Sequence, residues 1–124
     1  MHVIRQTEER TITTPAAVTT ALAGPSQGSH EVSSWRVEMT EGAESPVHVI
    51  TRDQVWMVIG GTFEFSVDGE DAKVTDGECL VLKGETARQF RVLEGPGRAL
   101  VAMLPDGQAG APGNDARQPL PWAK

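Results

Sequence analysis

The chain of 124 residues has little cysteine and no long apolar run. Its one cysteine, Cys79, cannot form an internal disulfide, and a zinc module built on several cysteines is excluded as well. The sequence contains no run of about 18 to 20 apolar residues, which a helix needs to cross a membrane. Its start, MHVIRQTEERT, is polar and charged where a signal peptide would be apolar. We therefore expect a soluble, cytoplasmic protein that does not bind a membrane.

Basic residues are also scarce. The chain has 11 Lys and Arg against 17 Asp and Glu, which gives a net charge of -6. A surface with this acidic excess offers no cationic face for a phosphate backbone, so nucleic acid is not expected as a partner. The length favours one compact domain, because a second domain would have too few residues to build a core.

Glycine and proline are abundant and lie between short strand-like runs, a pattern typical of all-β proteins. The chain divides into an N-terminal strand-and-loop arm (1–30), a β-barrel (31–104) and a Gly/Pro-rich tail (105–124). The predicted strands are His2 to Arg5, Glu31 to Met39, Pro46 to Thr51, Gln54 to Ile59, Thr62 to Val67, Asp71 to Val74, Glu78 to Leu82, Arg88 to Leu93 and Arg98 to Leu104.

Turn-forming residues separate these runs. We predict chain reversals at Gly60-Gly61, Asp68-Gly69, Asp76-Gly77 and Gly95-Pro96-Gly97, since these residues accept or fix the backbone angles that turns require. Asp68-Gly69, between FEFSV and EDAKV, is the clearest hairpin.

The run from Gln54 to Ile59 is apolar on both faces. Trp56 and Val58 alternate with Val55, Met57 and Ile59, and side chains on a strand point to opposite sides in turn. We therefore expect a second layer or a partner subunit to cover each face. Trp35 and Cys79 are expected to be packing residues.

The stretch GAESPVHVITRDQVWMVIGG, residues 42–61, carries a spaced pattern. Five residues separate Gly42 from His48, Ile50 follows, Gln54 comes after three more, and Gly61 after another six. This spacing resembles the first motif of the cupin superfamily, in which Gly, His-x-His, Glu and Gly stand at these positions. Two of the three metal-ligand positions are therefore substituted, by Ile50 and Gln54.

The second cupin motif has a looser counterpart in GECLVLKGETARQFRV, which begins at Gly77. Arg88 stands where that motif has its metal-binding His, and Lys83, Glu85 and Val92 replace its Pro, Gly and Asn. The resemblance implies a jelly-roll β-barrel, often dimeric in proteins of this size. The positions that it places on the inner face are His48, Ile50, Gln54, Trp56, Val58, Arg88 and Phe90.

A metal cofactor is not expected at these positions. Ile50 has no lone pair, Arg88 is a fixed cation, and a metal site needs at least three protein donors. We expect instead that a small organic ligand occupies the barrel. His48 would be an acid or base and Arg88 a stabiliser of an anion. Gln54, Ile50, Trp56 and Phe90 would line the ligand site.

These residues leave several functions open. The first is an enzyme of proton-transfer chemistry, such as an isomerase, a cyclase, a lyase acting by elimination, or an epimerase. The second is a non-catalytic binding or sensory module, and a weaker third is a metal-dependent oxygenase with a degenerate site. His48 would otherwise be an ordinary hydrogen-bonded histidine, and Arg88 would pair with an acidic neighbour such as Glu38 or Glu85. A homodimer would cover the second apolar face of the strand from Gln54 to Ile59.

Overall fold

The computed structural model describes residues 1–124 as an antiparallel β-protein. Its strands are β1 (Thr11–Thr13), β2 (Val18–Ala23), β3 (Ser33–Met39), β4 (His48–Ile50), β5 (Gln54–Val67), β6 (Glu70–Thr75), β7 (Cys79–Leu82), β8 (Thr86–Met103), β9 (Gln108–Gly110) and β10 (Gln118–Pro119). Short 3₁₀ turns lie at Glu8–Arg10, Pro25–Gln27 and Pro121–Ala123. No helix in the chain is long and apolar enough to cross a membrane.

Two long strands, β5 and β8, connect the two walls of a half-barrel. The first half of β5, residues 54–60, pairs with residues 98–103 of β8, and β3 and β7 extend this wall. The second half of β5, residues 62–67, pairs with residues 88–94 of β8, and β4 and β6 extend the other wall. The curled sheet confirms the expected all-β, jelly-roll class.

The predicted reversals at Gly60-Gly61 and Gly95-Pro96-Gly97 are wrong. Both segments lie inside continuous strands, β5 and β8, where the register shifts near Gly60 and Thr62 mark bulges. Gly61 has a φ of +69°, and a Cβ there would collide with the carbonyl oxygens of Glu94 and Pro96. The glycines therefore let the two strands bend together from one wall into the other. Asp68-Gly69 does form the predicted hairpin, with φ angles of 51° and 78°.

The N-terminal arm differs from the prediction at its start. Residues 2–5 form no strand, because no neighbouring strand pairs with them. The arm instead contributes β1 and β2, and β2 pairs with β3 at the edge of the first wall. The tail also packs on the barrel: Leu120 and Ala123 are buried, and the Ser33 hydroxyl donates to the Ala123 carbonyl.

The side chains of β5 point alternately to the inner and the outer face of the sheet. Gln54, Trp56 and Val58 are buried, and Trp35 from β3 joins the same core, as predicted. On the outer side, Val55 and Met57 pair with Val81, Cys79, Ala102 and Leu100 of the adjacent strands.

This outer apolar face stays partly open in the single chain. Met57 is 36% exposed and Val81 is 57% exposed. Cys79 is exposed as well, so the expectation that it is a packing residue is wrong for the single chain. It lies on the outer side because it pairs with Met57, not with the inward-facing Trp56.

Candidate ligand-binding cavity

A cavity of about 570 Å³ lies between the walls of the half-barrel. Strands β3, β4, β5 and β8, the loop before β4 and both arms supply its wall. Its lining residues are Thr14, Pro15, Ala16, Ala17, Thr19, Trp35, Val37, Glu44, Ser45, Pro46, His48, Ile50, Gln54, Trp56, Phe90, Ala109, Leu120 and Trp122. Five residues predicted for the site, His48, Ile50, Gln54, Trp56 and Phe90, therefore share one cavity.

His48 is held at the start of β4, directly opposite Arg88 on β8. Its Nδ1 lies 2.8 Å from the carbonyl oxygen of Pro46, and since a carbonyl can only accept, we assign the proton to Nδ1. Burial lowers the pKa of His48; the Pro46 hydrogen bond acts against this, and the charge of Arg88 adds to the lowering. The ring is therefore neutral at pH 7, and Nε2 carries the free lone pair.

Arg88 faces inward but does not line the cavity. It is 1% exposed, and its guanidinium donates to the carbonyls of Thr86 and Lys83 at 2.8 and 2.7 Å and to Gln54 Oε1 at 3.3 Å. Burial lowers the pKa of Arg88 to about 10, and the Asp53 carboxylate partly opposes this. The group remains a cation at neutral pH, with all three of its nitrogens engaged by the protein.

The alternative in which Arg88 pairs with Glu38 or Glu85 is wrong. Glu38 instead accepts from Arg98 at 3.0 Å, and Glu85 lies near Arg117. The backbone carbonyls of Lys83 and Thr86 accept from the guanidinium instead, because Arg88 points inward and the two carboxylates lie at the surface.

Gln54 connects Arg88 with the cavity. Its Oε1 accepts from Arg88 Nη1 and, at 3.2 Å, from Trp56 Nε1, so two donors fix the orientation of the amide. The Nε2 end has only the Met103 sulfur as a partner, at 3.7 Å, and a thioether is a weak acceptor. Gln54, which lines the cavity, therefore keeps an amide N–H donor with only a weak partner, and its oxygen accepts from a buried cation.

Aromatic rings form much of the remaining wall. The centroids of Trp56 and Phe90 are 4.7 Å apart, and the His48 ring meets the Phe90 ring edge-on at 5.7 Å. Trp35 and Trp122 pack together at 6.5 Å. Such flat apolar surfaces suit a planar ligand.

Sequence reasoning did not identify Thr19 or Trp122 as parts of the site. Thr19 comes from β2, and Trp122 comes from the 3₁₀ turn at the end of the tail. Leu120 and Trp122 are large apolar residues in a tail that is otherwise poor in them, and this was the only signal in the sequence that the tail packs on the barrel. Nothing in the sequence TTPAAVTT distinguishes Thr19 from its neighbours.

The residues at the four ligand positions of the cupin motifs do not fit a divalent metal. Only His48 offers a good donor atom, and its neighbour across the strands is a cation. Nowhere in residues 1–124 do three or more His, Cys, Asp or Glu side chains come together as a metal site.

The comparisons with known proteins agree with this architecture. The family model described as a cupin domain matches residues 35–103, more than half of the chain, and the protein belongs to this family. No curated protein matches the sequence.

Solved structures with the same fold include KdgF from Halomonas sp., with a TM-score of 0.72 and 20% identity over 84% of this chain and 93% of that one. An RmlC-like cupin from Shewanella frigidimarina has a TM-score of 0.65 and 22% identity over 80% and 92%. A cupin-superfamily sugar phosphate isomerase from Silicibacter pomeroyi has a TM-score of 0.68 and 19% identity over 92% and 80%. At these identities the likeness concerns the fold alone.

Proposed function

We propose that this cupin binds a small organic molecule in the cavity without a metal and catalyses proton transfer on it. The observation that carries the proposal is the pairing of a neutral His48, with Nε2 free, and the buried Arg88–Gln54 pair at one cavity. His48 is the acid or base, and Arg88 is the anion stabiliser that acts through the amide of Gln54.

The proton-transfer step uses the groups that the cavity offers. His48 Nε2 takes a proton from the ligand, and the electron pair of the broken bond moves onto a ligand oxygen. Gln54 Nε2 donates to that oxygen, and the charge of Arg88 favours the oxyanion. Return of the proton from Nε2 to another atom of the ligand gives isomerisation, and return to the opposite face of the same carbon gives epimerisation. In elimination, the electron pair returns from the oxygen and expels a leaving group, which takes the proton from Nε2.

A second candidate is a non-catalytic binding or sensory module. It is favoured by the composition of the wall, in which His48 is the one group that titrates near neutral pH. The other polar groups can hold a ligand without transferring a proton. In this case the protein would need a separate partner to report the bound state.

The variants His48→Ala and His48→Gln separate the two candidates. For the enzyme we expect turnover to fall about a hundredfold, with ligand affinity nearly kept. The substrate can be found by native mass spectrometry of co-purified ligand followed by proton-exchange assays in heavy water. Unchanged turnover in both variants would contradict a base at this position.

The pH dependence of the wild-type protein is a separate test. Since the pKa of His48 is lowered, wild-type activity should stay level above pH 7 and fall only on acidification.

The remaining alternative is a metal-dependent oxygenase with a degenerate site. Elemental analysis of protein purified without a histidine tag tests it. We expect less than one transition metal per ten chains, and a stoichiometric metal would overturn the metal-free proposal.

We also propose that two chains associate through the outer apolar face of Val55, Met57, Ile59, Val81, Leu100 and Ala102. Met57→Glu places a charge in this face and should convert a dimer into a monomer in analytical ultracentrifugation. Lys73→Glu, on exposed β6, is the matched control and should leave the dimer intact. A monomeric wild-type protein at high concentration would contradict the association.

A further inference from the structure

We propose that the cavity selects a ligand that is uncharged at neutral pH, with a planar apolar body and oxygen atoms that accept hydrogen bonds. A phenol or a cyclic ketone has this chemistry, whereas a carboxylate or a phosphate ester does not. The inference rests on the proposed binding function and specifies the class of ligand that the site takes.

The first support is the absence of a free cation in the cavity wall. No Lys or Arg is among the 18 lining residues, and the one charged side chain among them is the exposed carboxylate of Glu44. Arg88 lies behind Gln54, and three protein acceptors already engage it. An anionic ligand would lose its hydration and gain no direct ion pair, which makes its binding unfavourable.

The second support is a set of polar groups without strong partners in the protein. Thr19 is 5% exposed and lines the cavity, yet its hydroxyl makes no hydrogen bond within the chain. Gln54 Nε2 has only a sulfur partner. Buried polar groups are normally satisfied, so two donors without strong partners, on residues that line one cavity, indicate that acceptor oxygens belong there.

The third support concerns size and shape. About 570 Å³ lies within the range of sites that enclose drug-sized molecules, so one or two fused rings fit. Four aromatic residues, Trp35, Trp56, Phe90 and Trp122, line the cavity and offer flat apolar surfaces. These rings cannot replace the water around a charged group, so they favour an uncharged ligand. The absence of Lys and Arg from the cavity wall favours the same class of ligand.

A matched series of probes tests the inference. Isothermal titration calorimetry at neutral pH would compare 2-naphthol, 2-naphthoate and 2-naphthyl phosphate, which share a ring system and differ in charge. We expect 2-naphthol to bind at least about tenfold more tightly than either anion, a ratio that corresponds to about 1.4 kcal/mol. Ala17→Phe, which fills part of the cavity, should abolish this binding and so locate the probe.

One further variant examines the Thr19 hydroxyl. Thr19→Val keeps the shape of the side chain and removes its donor. We expect it to weaken 2-naphthol binding about threefold to tenfold. If the affinity does not change, the assignment of an acceptor oxygen to this hydroxyl is overturned.

The outcomes for the inference and for the proposed function differ. If an anion binds more tightly than 2-naphthol and Ala17→Phe removes that binding, the neutral-ligand inference fails while the binding function stands. If no probe binds in a way that Ala17→Phe removes, and native mass spectrometry finds no co-purified ligand, the proposed function fails together with the inference.

Discussion

Replacing Arg88 with methionine is expected to lower the free energy of unfolding by about 3 to 5 kcal/mol. Methionine fills a similar volume but donates no hydrogen bond. The part-buried carbonyls of Lys83 and Thr86 would then lose these donors, and Gln54 Oε1 would keep only Trp56 as a donor. Removing the buried cation also ends its desolvation cost, which offsets part of this loss. Urea denaturation followed by circular dichroism measures the change.

Two other substitutions make this result interpretable. Arg88→Lys keeps the charge but cannot reach three separate acceptors at once, so we expect an intermediate loss. Arg91→Met removes an exposed arginine of the same strand that pairs with Glu64, and it should cost no more than about 1 kcal/mol. Equal stabilities for the Arg88→Met and Arg91→Met proteins would show that the buried hydrogen bonds contribute little.

The same variant distinguishes the two roles considered for Arg88. A residue that anchors the ligand directly would change affinity and leave stability almost untouched. A residue that holds Gln54 should change stability first, and it should change turnover more than ligand affinity, because the amide matters most when the oxyanion forms. The three engaged nitrogens of Arg88 favour the second pattern.

Much of the fold could be predicted because local patterns agree with long-range pairing. The alternation in Gln54–Ile59 separates the inner and outer faces correctly, and Asp68-Gly69 forms its hairpin where the positive φ angles require it. The segments Gly60-Gly61 and Gly95-Pro96-Gly97 are misinterpreted because glycine serves a bulge or a bend as well as a turn. The pairing of β5 with β8, which near these glycines joins residues more than thirty apart in sequence, decides between the two.

The cavity could be predicted only where the motif sets the register. His48, Ile50, Gln54, Trp56 and Phe90 follow from the cupin spacing, since strand alternation sends all of them inward. The environment of Arg88 could not be predicted, because its partners include backbone carbonyls that leave no trace in the pattern of side chains. Thr19 and Trp122 reach the cavity through the docking of both arms, which depends on shape.

Removal of residues 118–124 is expected to have the largest effect on stability, a loss of about 5 kcal/mol or more. Leu120 and Ala123 are buried in the main core, and Trp122 packs against Trp35. Loss of a buried Leu or Trp side chain alone costs about 2 to 5 kcal/mol. Since small domains are stable by about 5 to 15 kcal/mol, much of the truncated protein should be unfolded or loosely packed. Thermal unfolding and hydrogen exchange at β2 and β3 measure this.

The tail also forms part of the cavity wall, so the truncated protein should lose 2-naphthol binding even under conditions in which it remains folded. Replacing the exposed loop 111–116 with six Gly and Ser residues is the matched control, and it should leave both stability and binding nearly unchanged. The single variant Leu120→Ala should give an intermediate stability, because it removes one buried side chain and keeps the Ser33–Ala123 hydrogen bond. A truncated chain with the full chain's unfolding midpoint and 2-naphthol affinity would mean that the last seven residues lie free of the barrel in solution, and that the cavity closes without them.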